Sequence, residues 1–333
     1  MTAQTELWHG KPYYSLDAYC KNTYHEKLYK IALDAGLSCP NRDGTLDTRG
    51  CIFCSAGGSG DFAVSCLEAA AGSIWRPVRP MPEQIAEGRS LFHEKRTGSR
   101  FIAYFQAYTN TYAPVSYLEP LYRQAMEEPC IAGISIATRP DCLSGEVLDL
   151  LSRLKQCYPS KFIWIELGLQ TIHEQTAAYI RRGYPLSVFD RALGQLAALH
   201  IPVIVHLIFG LPGESDTQML ESVAYLNERP VFGVKLQLLH ILKGTDLAKD
   251  YAEGRFAALT KEHYISLLLS AIALLSPDIV IHRLTGDGPK EQLIAPLFSL
   301  NKRDVLNTLH QECRQQHIWQ GKDFHDTGTT YTL

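Results

Sequence analysis

Six short apolar runs punctuate the chain, and each gap between them is long enough for a helix. They lie at 28–33 (LYKIAL), 101–107 (FIAYFQA), 131–138 (IAGISIAT), 162–168 (FIWIELG), 202–209 (PVIVHLIF) and 232–238 (FGVKLQL). They are rich in β-branched and aromatic residues and nearly continuous in apolar character, the pattern of strands covered on both faces. Helical periodicity is expected between them over 82–94, 117–127, 145–156, 173–181, 187–199 and 216–227, with Ser187 as the N-cap of its helix. Strand–helix alternation repeated this way predicts a parallel sheet with helical crossovers. The count fits an α/β fold built as an open or partial (β/α)6 barrel better than a closed eightfold one.

The ends read differently. Residues 1–27 are aromatic with little periodicity and are expected to wrap the barrel mouth. Residues 261–275 (KEHYISLLLSAIALL) form an apolar helix, followed by residues 279–283, a glycine-rich turn and a helical tail to about 316. The expected division is an N-terminal extension at 1–27, the barrel at 28–250, and a mostly helical C-terminal extension at 251–333.

Composition narrows the classes. A chain of 333 residues with 46% hydrophobic content can bury one sizeable core. The net charge of −3 advertises no overall field for nucleic acid, although a local basic face at Arg89, His93, Lys95, Arg96 and Arg100 could serve as an RNA contact or as a solvated helix end. Residues 1–10 are polar, without the apolar segment of a secretory leader, and no run is long enough to span a membrane. Nine cysteines, an odd number, are then expected to be free thiols in a reducing, cytoplasmic compartment.

Three of those cysteines carry the chemistry. Cys39, Cys51 and Cys54 share one loop, SCPNRDGTLDTRGCIFCSAGGSGDFA, with spacing C-x11-C-x2-C, just after the first expected strand. Ligands in parallel α/β folds sit at the carboxyl ends of strands. Three cysteines without a fourth can hold three irons of a [4Fe–4S] cube and leave the last iron open to a ligand, whereas an electron-carrying cluster takes four. Phe53, between the paired cysteines, can shield a cluster, and Gly57, Gly58 and Gly60 allow close backbone approach. The rival readings are a zinc clip completed by Cys66 or a histidine, and a redox pair at Cys51 and Cys54.

Other polar residues are placed by the same pattern. Glu166, Gln170 and Arg139 fall at the ends of apolar strands, where they either bond one another at the rim or face a cofactor. Cys142, beside Asp141, is either a hydrogen donor to a substrate radical, which would be a catalytic role, or a half-buried structural thiol. His206 reads as a satisfied core or cofactor-edge residue, and Tyr104, Tyr108 and Tyr112 form an aromatic stripe in which Tyr108 could face substrate. Cys20, Cys66, Cys130, Cys157 and Cys313 lack ligand spacing.

With these residues in view, the cysteine loop resembles that of the radical S-adenosylmethionine (SAM) superfamily, in a variant with eleven residues where the usual pattern has three. YFQAYTNTYAP (104–114) stands where that superfamily's second strand meets the SAM amino group. SIATRPDCL (135–143) and ELGLQT (166–171) with RRGY (181–184) resemble strand segments of the Elongator catalytic subunit, the latter also of oxygen-independent coproporphyrinogen oxidases. HLIFGLPGE (206–214) resembles the fifth-strand SAM segment. LHILKGT (239–245) and the TGDGPK turn extend the likeness, over nearly the whole chain, to radical SAM proteins of the YhcC/YtqA type.

The resemblance implies that Cys39, Cys51 and Cys54 ligate the cluster and that the backbone around Phe53 meets adenine. It places Gln106 and Thr109 near the methionine moiety, Ser135, Gln170 and Arg182 near the ribose and carboxylate, and Gly210 beneath adenine. Two positions depart from the Elongator pattern. Ala137 replaces an acid whose contact Glu166 would supply, and Tyr184 replaces a histidine.

The implied cofactors are one [4Fe–4S] cluster and SAM, cleaved to methionine and a 5′-deoxyadenosyl radical that takes hydrogen from the substrate, with a flavodoxin- or ferredoxin-type one-electron donor as partner. The Elongator-like segments point to tRNA, and to a wobble-uridine C5 side chain, for example conversion of carboxymethylaminomethyl to aminomethyl. No acetyltransferase-like extension accompanies the core, so trimming of a pre-installed group is expected. The rivals are a small-molecule substrate handled in the manner of coproporphyrinogen oxidation, and a non-catalytic iron–sulfur or zinc protein that binds RNA or a partner.

Overall fold

The computed structural model describes residues 8–58, 78–92, 98–286 and 288–325. In chain order the elements are α1 (Leu16–Tyr24), β1 (Tyr29–Leu33), α2 (Met81–Ser90), β2 (Phe101–Phe105), α3 (Val115–Glu127), β3 (Ile131–Thr138), α4 (Gly145–Cys157), β4 (Phe162–Gln170), α5 (Glu174–Tyr179), α6 (Leu186–Ala198), β5 (Val203–Phe209), α7 (Asp216–Asn227), β6 (Gly233–Leu238), β7 (Ile241–Leu242), α8 (Asp246–Ala252), α9 (Lys261–Leu274), β8 (Val280–Arg283), β9 (Leu293–Ala295) and α10 (Lys302–Gln315).

Seven strands form one sheet in the order β1-β2-β3-β4-β5-β6-β8, and every neighbouring pair is parallel. This is the curled α/β half-barrel expected, and β8, from beyond residue 251, adds a seventh strand to the six read from the sequence.

Period-two alternation divides each strand between two environments. One set, including Ala103, Phe105, Ile163, Ile165, Leu167, Val203, Val205, Leu207, Val234 and Leu236, packs with helix residues such as Leu150, Leu151, Leu193 and Val223 in the main core. The alternate set faces the concave side in tiers. Ile102, Ala132, Trp164 and Ile204 form an apolar base with Phe232 and Val280. Above them lie Tyr104, Glu166, His206 and Lys235, which line a cavity that continues up to Gln106, Gly168, Ile208 and Gln237.

Two expectations are corrected. The N-terminal segment closes the amino-terminal end of the sheet, not the mouth. Tyr19 of α1 lies 4.9 Å from Phe232 and 6.0 Å from Trp164, ring centre to ring centre, and Tyr24 lies 5.3 Å from Phe162. These are residues where strands begin. Ser187 does not cap α6; the N-cap is Pro185. The Glu174 carboxylate accepts from the Leu186 amide at 2.6 Å instead, so the orphan donor is satisfied from α5.

Candidate active site at the carboxyl ends of the strands

The cysteine loop leaves the end of β1 and is fastened at several points. The Asn41 amide nitrogen donates to the Arg181 carbonyl at 2.7 Å and to Cys51 Sγ at 3.4 Å. The Ile52 amide donates to the Ile180 carbonyl at 3.2 Å, and Arg42 donates to the Cys54 carbonyl at 3.2 Å. At its far end the Tyr108 hydroxyl donates to the Ala56 carbonyl at 2.6 Å, and the Tyr108 amide to the Gly58 carbonyl at 3.0 Å. Gly58 has φ +56°, and a Cβ there would lie 2.4 Å from the Tyr108 ring. Only glycine fits that crossing.

So held, Cys39, Cys51 and Cys54 line a single cavity of about 250 Å³ together with Arg42, Phe53, Gln106, Tyr108, Thr109, Arg139, Gln170, Arg182 and Tyr184. The Cys54 thiol's hydrogen bond, against burial and with help from Arg139, brings Cys51 down to about 6, and the same bond plus burial pushes Cys54 well up. Thiolates are the metal-ligating form.

Among the described residues no three His, Cys, Asp or Glu side chains converge as they would on one metal ion. A cube takes each cysteine on its own iron and so does not require three side chains to meet on one metal ion. Cys66, Gly60, His93, Lys95 and Arg96 lie outside the described residues.

Backbone geometry is unusual around the cavity. Tyr108 and Gln170, which line it, and Arg181 beside it adopt left-handed φ of +61°, +67° and +57°. Such conformations cluster at functional sites. The pairing of β4 with β5 slips between Gly168 and Gln170, a bulge that turns Gln170 toward the cavity. Its Oε1 is buried without a hydrogen-bond partner. A buried acceptor in that state is costly unless a ligand satisfies it.

Below the cysteines sits an ionic layer. Glu166 is fully buried and both its oxygens are engaged. Oε1 accepts from Lys30 and, at 2.6 Å, from the Ser135 hydroxyl. Oε2 accepts from Lys235 and meets His206 Nε2 at 2.7 Å. Lys235 also reaches the Tyr104 hydroxyl at 3.0 Å.

Burial opposes ionisation of Glu166, but Lys235, Lys30 and His206 together hold its carboxyl well below the usual range. Burial, with Lys235 adding to it, lowers His206 to about 4. The imidazole is therefore neutral near pH 7, and its Nε2–H donates to the carboxylate. Lys235 is driven well down by burial and by Lys30 and Arg283, against the pull of Glu166. One carboxylate faces several cations here, so the acid is held ionised while the ammonium is crowded.

The residues singled out from sequence divide into groups. Cys39, Cys51, Cys54, Phe53, Gln106, Thr109, Glu166, Gln170 and Arg182 meet at the cavity. Arg182 spends its donors on the Tyr184 carbonyl at 3.0 Å, the Leu169 and Thr171 carbonyls at 3.2 and 2.7 Å, and Glu174 at 3.3 Å. Ser135 is buried and bonded to Glu166. Gly210, φ +87°, has its side-chain direction against Leu259. Cys142 lines a neighbouring cavity with Pro40, Tyr112 and Asp141. Tyr184 stacks under Arg139, 5.0 Å from ring centre, and donates to the Gly168 carbonyl.

Lys30, Lys235 and Arg42 were not singled out from sequence. The two lysines had a signal: each interrupts an apolar strand run, as Glu166 does, and unpaired charge is not buried. Nothing in the sequence distinguishes Arg42 from a surface arginine.

Comparison with known proteins agrees with this architecture. The radical SAM superfamily model matches residues 48–226, and a radical SAM C-terminal domain model matches 231–315. The uncharacterised protein YtqA of Bacillus subtilis is 38% identical over 314 residues, covering 94% of this chain and 93% of that protein. A tRNA uridine(34) acetyltransferase of Dehalococcoides mccartyi is 28% identical over 57% of this chain and 41% of its own length. The solved structure of the Methanocaldococcus infernus Elp3 superposes with a TM-score of 0.63 at 13% identity, covering 88% of this chain and 64% of that one. Members of the superfamily are generally enzymes and use a [4Fe–4S] cluster and SAM. On the span of these matches, and on the half-barrel that carries the cysteine loop at its strand ends, this chain belongs to the radical SAM superfamily.

Proposed function

We propose that this protein is a radical SAM enzyme that holds one [4Fe–4S] cluster on Cys39, Cys51 and Cys54 and remodels the C5 side chain of a wobble uridine in tRNA. The observation that carries the reading is the convergence of the three cysteines with Phe53 and the strained Gln170 on one cavity. When bound, the cluster and SAM supply a carbon-centred radical able to take hydrogen from an unactivated carbon.

The chain's own residues do the rest. Arg42 and Asn41 hold the cysteine loop in register. Phe53, Gln106, Thr109 and Gln170 offer SAM an apolar wall and polar contacts. Ser135 and Arg182 act from behind, the first by orienting Glu166 and the second by fixing the loop after β4. The apolar base of Trp164, Ile102 and Ile204, sealed by α1, keeps water from entering below. A flavodoxin- or ferredoxin-type protein is the expected electron donor.

Support for tRNA comes from the D. mccartyi relative, whose name specifies uridine 34 of tRNA. The reaction that fits best is conversion of a carboxymethylaminomethyl group to aminomethyl. Loss of a hydrogen atom from the methylene beside the carboxylate, then of an electron and a proton, would leave a C=N bond. Water would cleave it to the amine and glyoxylate, and the electron would replace the one spent on SAM. A deep cavity also suits a free small molecule, and one experiment separates the two. Reconstituted, reduced protein is incubated with SAM and tRNA carrying the carboxymethylaminomethyl group, and digested nucleosides are analysed by mass. Formation of 5-aminomethyluridine with tRNA-stimulated 5′-deoxyadenosine supports the tRNA reading. Release of 5′-deoxyadenosine indifferent to tRNA contradicts it and favours the small molecule.

A further inference from the structure

Just past the end of β6, the imidazole of His240 lines the cavity beside Leu239, Leu242 and Gly286. Its Nε2 is buried without a hydrogen-bond partner. Burial, with Lys302 and Arg283 adding to it, lowers the ring to about 4, so it is neutral near pH 7. A neutral imidazole offers one donor and one acceptor nitrogen and carries no charge.

The ring is held in a built setting. A Cβ at Gly286 would lie 2.6 Å from its Cε1, and one at Gly288 would lie 3.0 Å from its Nδ1. Glycines at these positions bring the backbone of the turn after β8 against the imidazole. That turn is fastened on both sides. The Tyr264 hydroxyl reaches the Leu284 carbonyl at 2.7 Å and the Leu236 carbonyl of β6 at 3.2 Å. Beyond the turn, β9 pairs antiparallel with β7, and the Lys243 amide donates to the Gln292 carbonyl at 2.8 Å. A side chain fixed this way, with a nitrogen left unsatisfied at a cavity, is preorganised for a ligand. The polar groups offered to SAM follow β2 (Gln106 and Thr109) or end β4 (Gln170). His240 stands at β6, toward the β8 edge of the sheet and away from β1. The ligand at that edge is therefore assigned to the substrate.

We propose that His240 is a substrate-recognition residue whose imidazole hydrogen-bonds an uncharged imide edge, the N3–H and O4 of a uracil ring. This deepens the proposed function, on which the identity of the base rests. An imide places a donor N–H beside acceptor oxygens, so it satisfies Nε2 in either tautomer of the imidazole.

The test is calorimetric titration of the full-length, cluster-reconstituted protein, saturated with SAM. The probes are 5-carboxymethylaminomethyluridine, its 3-methyl form, which lacks the N–H, and its 4-thio form, whose acceptor is weak. At least one altered form is expected to bind roughly five- to a hundredfold more weakly than the parent, the range for leaving a buried polar group unsatisfied. Which form loses more identifies the tautomer. In His240→Phe and His240→Leu, which lack the ring nitrogens, that discrimination is expected to fall to near onefold with SAM affinity unchanged. Either variant that keeps the wild-type melting temperature suffices.

Four outcomes overturn the proposal. They are no binding of the parent nucleoside, equal binding of all three probes, discrimination unchanged in a folded variant, and loss of SAM affinity in that variant, which would assign His240 to SAM. The titration needs no turnover. Wild-type protein that discriminates among the probes but releases no 5′-deoxyadenosine would contradict the radical SAM reading alone. Formation of 5-aminomethyluridine on tRNA, with discrimination unmoved in the variant, would contradict this assignment alone.

Discussion

Glu166 binds two lysines, a serine hydroxyl and an imidazole with two oxygens, all inside the half-barrel. Removing its charge while keeping its shape leaves Lys30 and Lys235 uncompensated in low dielectric. Glu166→Gln is therefore expected to cost about 3–5 kcal/mol, the range for breaking a buried ion pair, read as a fall in the urea midpoint at constant slope; a loss below about 1 kcal/mol would mean that water reaches the layer.

The same layer sets the acid limb of stability. His206 titrates at about 4 in the fold against an ordinary 6.5. The folded state thus binds its proton more weakly than the unfolded chain, and stability present above pH 6.5 is lost as the pH falls toward 4. Glu166, also lowered, loses its contribution at still lower pH. His206→Gln is expected to flatten the stability–pH slope in the 4–6.5 window, and an unchanged slope would remove His206 from the account.

The sequence announced these charges, since an acid or lysine inside an apolar strand run must be answered by something. It did not announce the partner, because Lys30 and Glu166, 136 positions apart, are brought together only by the curl of the sheet.

At the scale of elements, the strands were legible because each is buried on both faces and bounded by polar turns. β3, with bounds Ile131–Thr138, and α7, Asp216–Asn227, coincide with the expected ranges. What local pattern could not supply was the bulge at the end of β4, the cap that Glu174 lends α6, and the destination of α1. These depend on neighbours distant in the chain.

The cysteine loop's dependence on Tyr108 is testable. Gly58→Ala forces a Cβ into the Tyr108 ring. It is expected to reduce iron bound per chain after reconstitution severalfold, while shifting stability by only about 1 kcal/mol, because the loop lies outside the sheet. Full iron loading in that variant would mean that the crossing is not needed to place Cys54. The opposite outcome is expected at Gly194 within α6, where an added Cβ meets nothing within 4 Å. Gly194→Ala should stabilise by about 0.5–1 kcal/mol, visible as a higher melting temperature.

At the scale of the molecule, the arrangement is a seven-stranded parallel sheet with an apolar base, a charged middle and a cysteine-ringed top. The tiers follow from alternation along strands whose inward positions run apolar, ionic, then small or polar. Among the described residues no helix is long and apolar enough to cross a membrane. The half-barrel and the cysteine loop could be read in advance. The charged floor could not, because it exists only when β1, β4, β5 and β6 are assembled.

The central claim is that Cys39, Cys51 and Cys54 hold a SAM-cleaving cluster. Cys39 is the sharpest point of it, because it lies outside the residues 48–226 matched by the superfamily model. The decisive measurement is 5′-deoxyadenosine released by anaerobically reconstituted, reduced protein given SAM, compared among wild type, Cys39→Ala, Cys54→Ala and Cys142→Ala. The account predicts product from wild type, at least a hundredfold loss in Cys39→Ala and Cys54→Ala, and an assembled cluster in Cys142→Ala. A cluster that forms in wild type without any 5′-deoxyadenosine, or full release from Cys39→Ala, would contradict it.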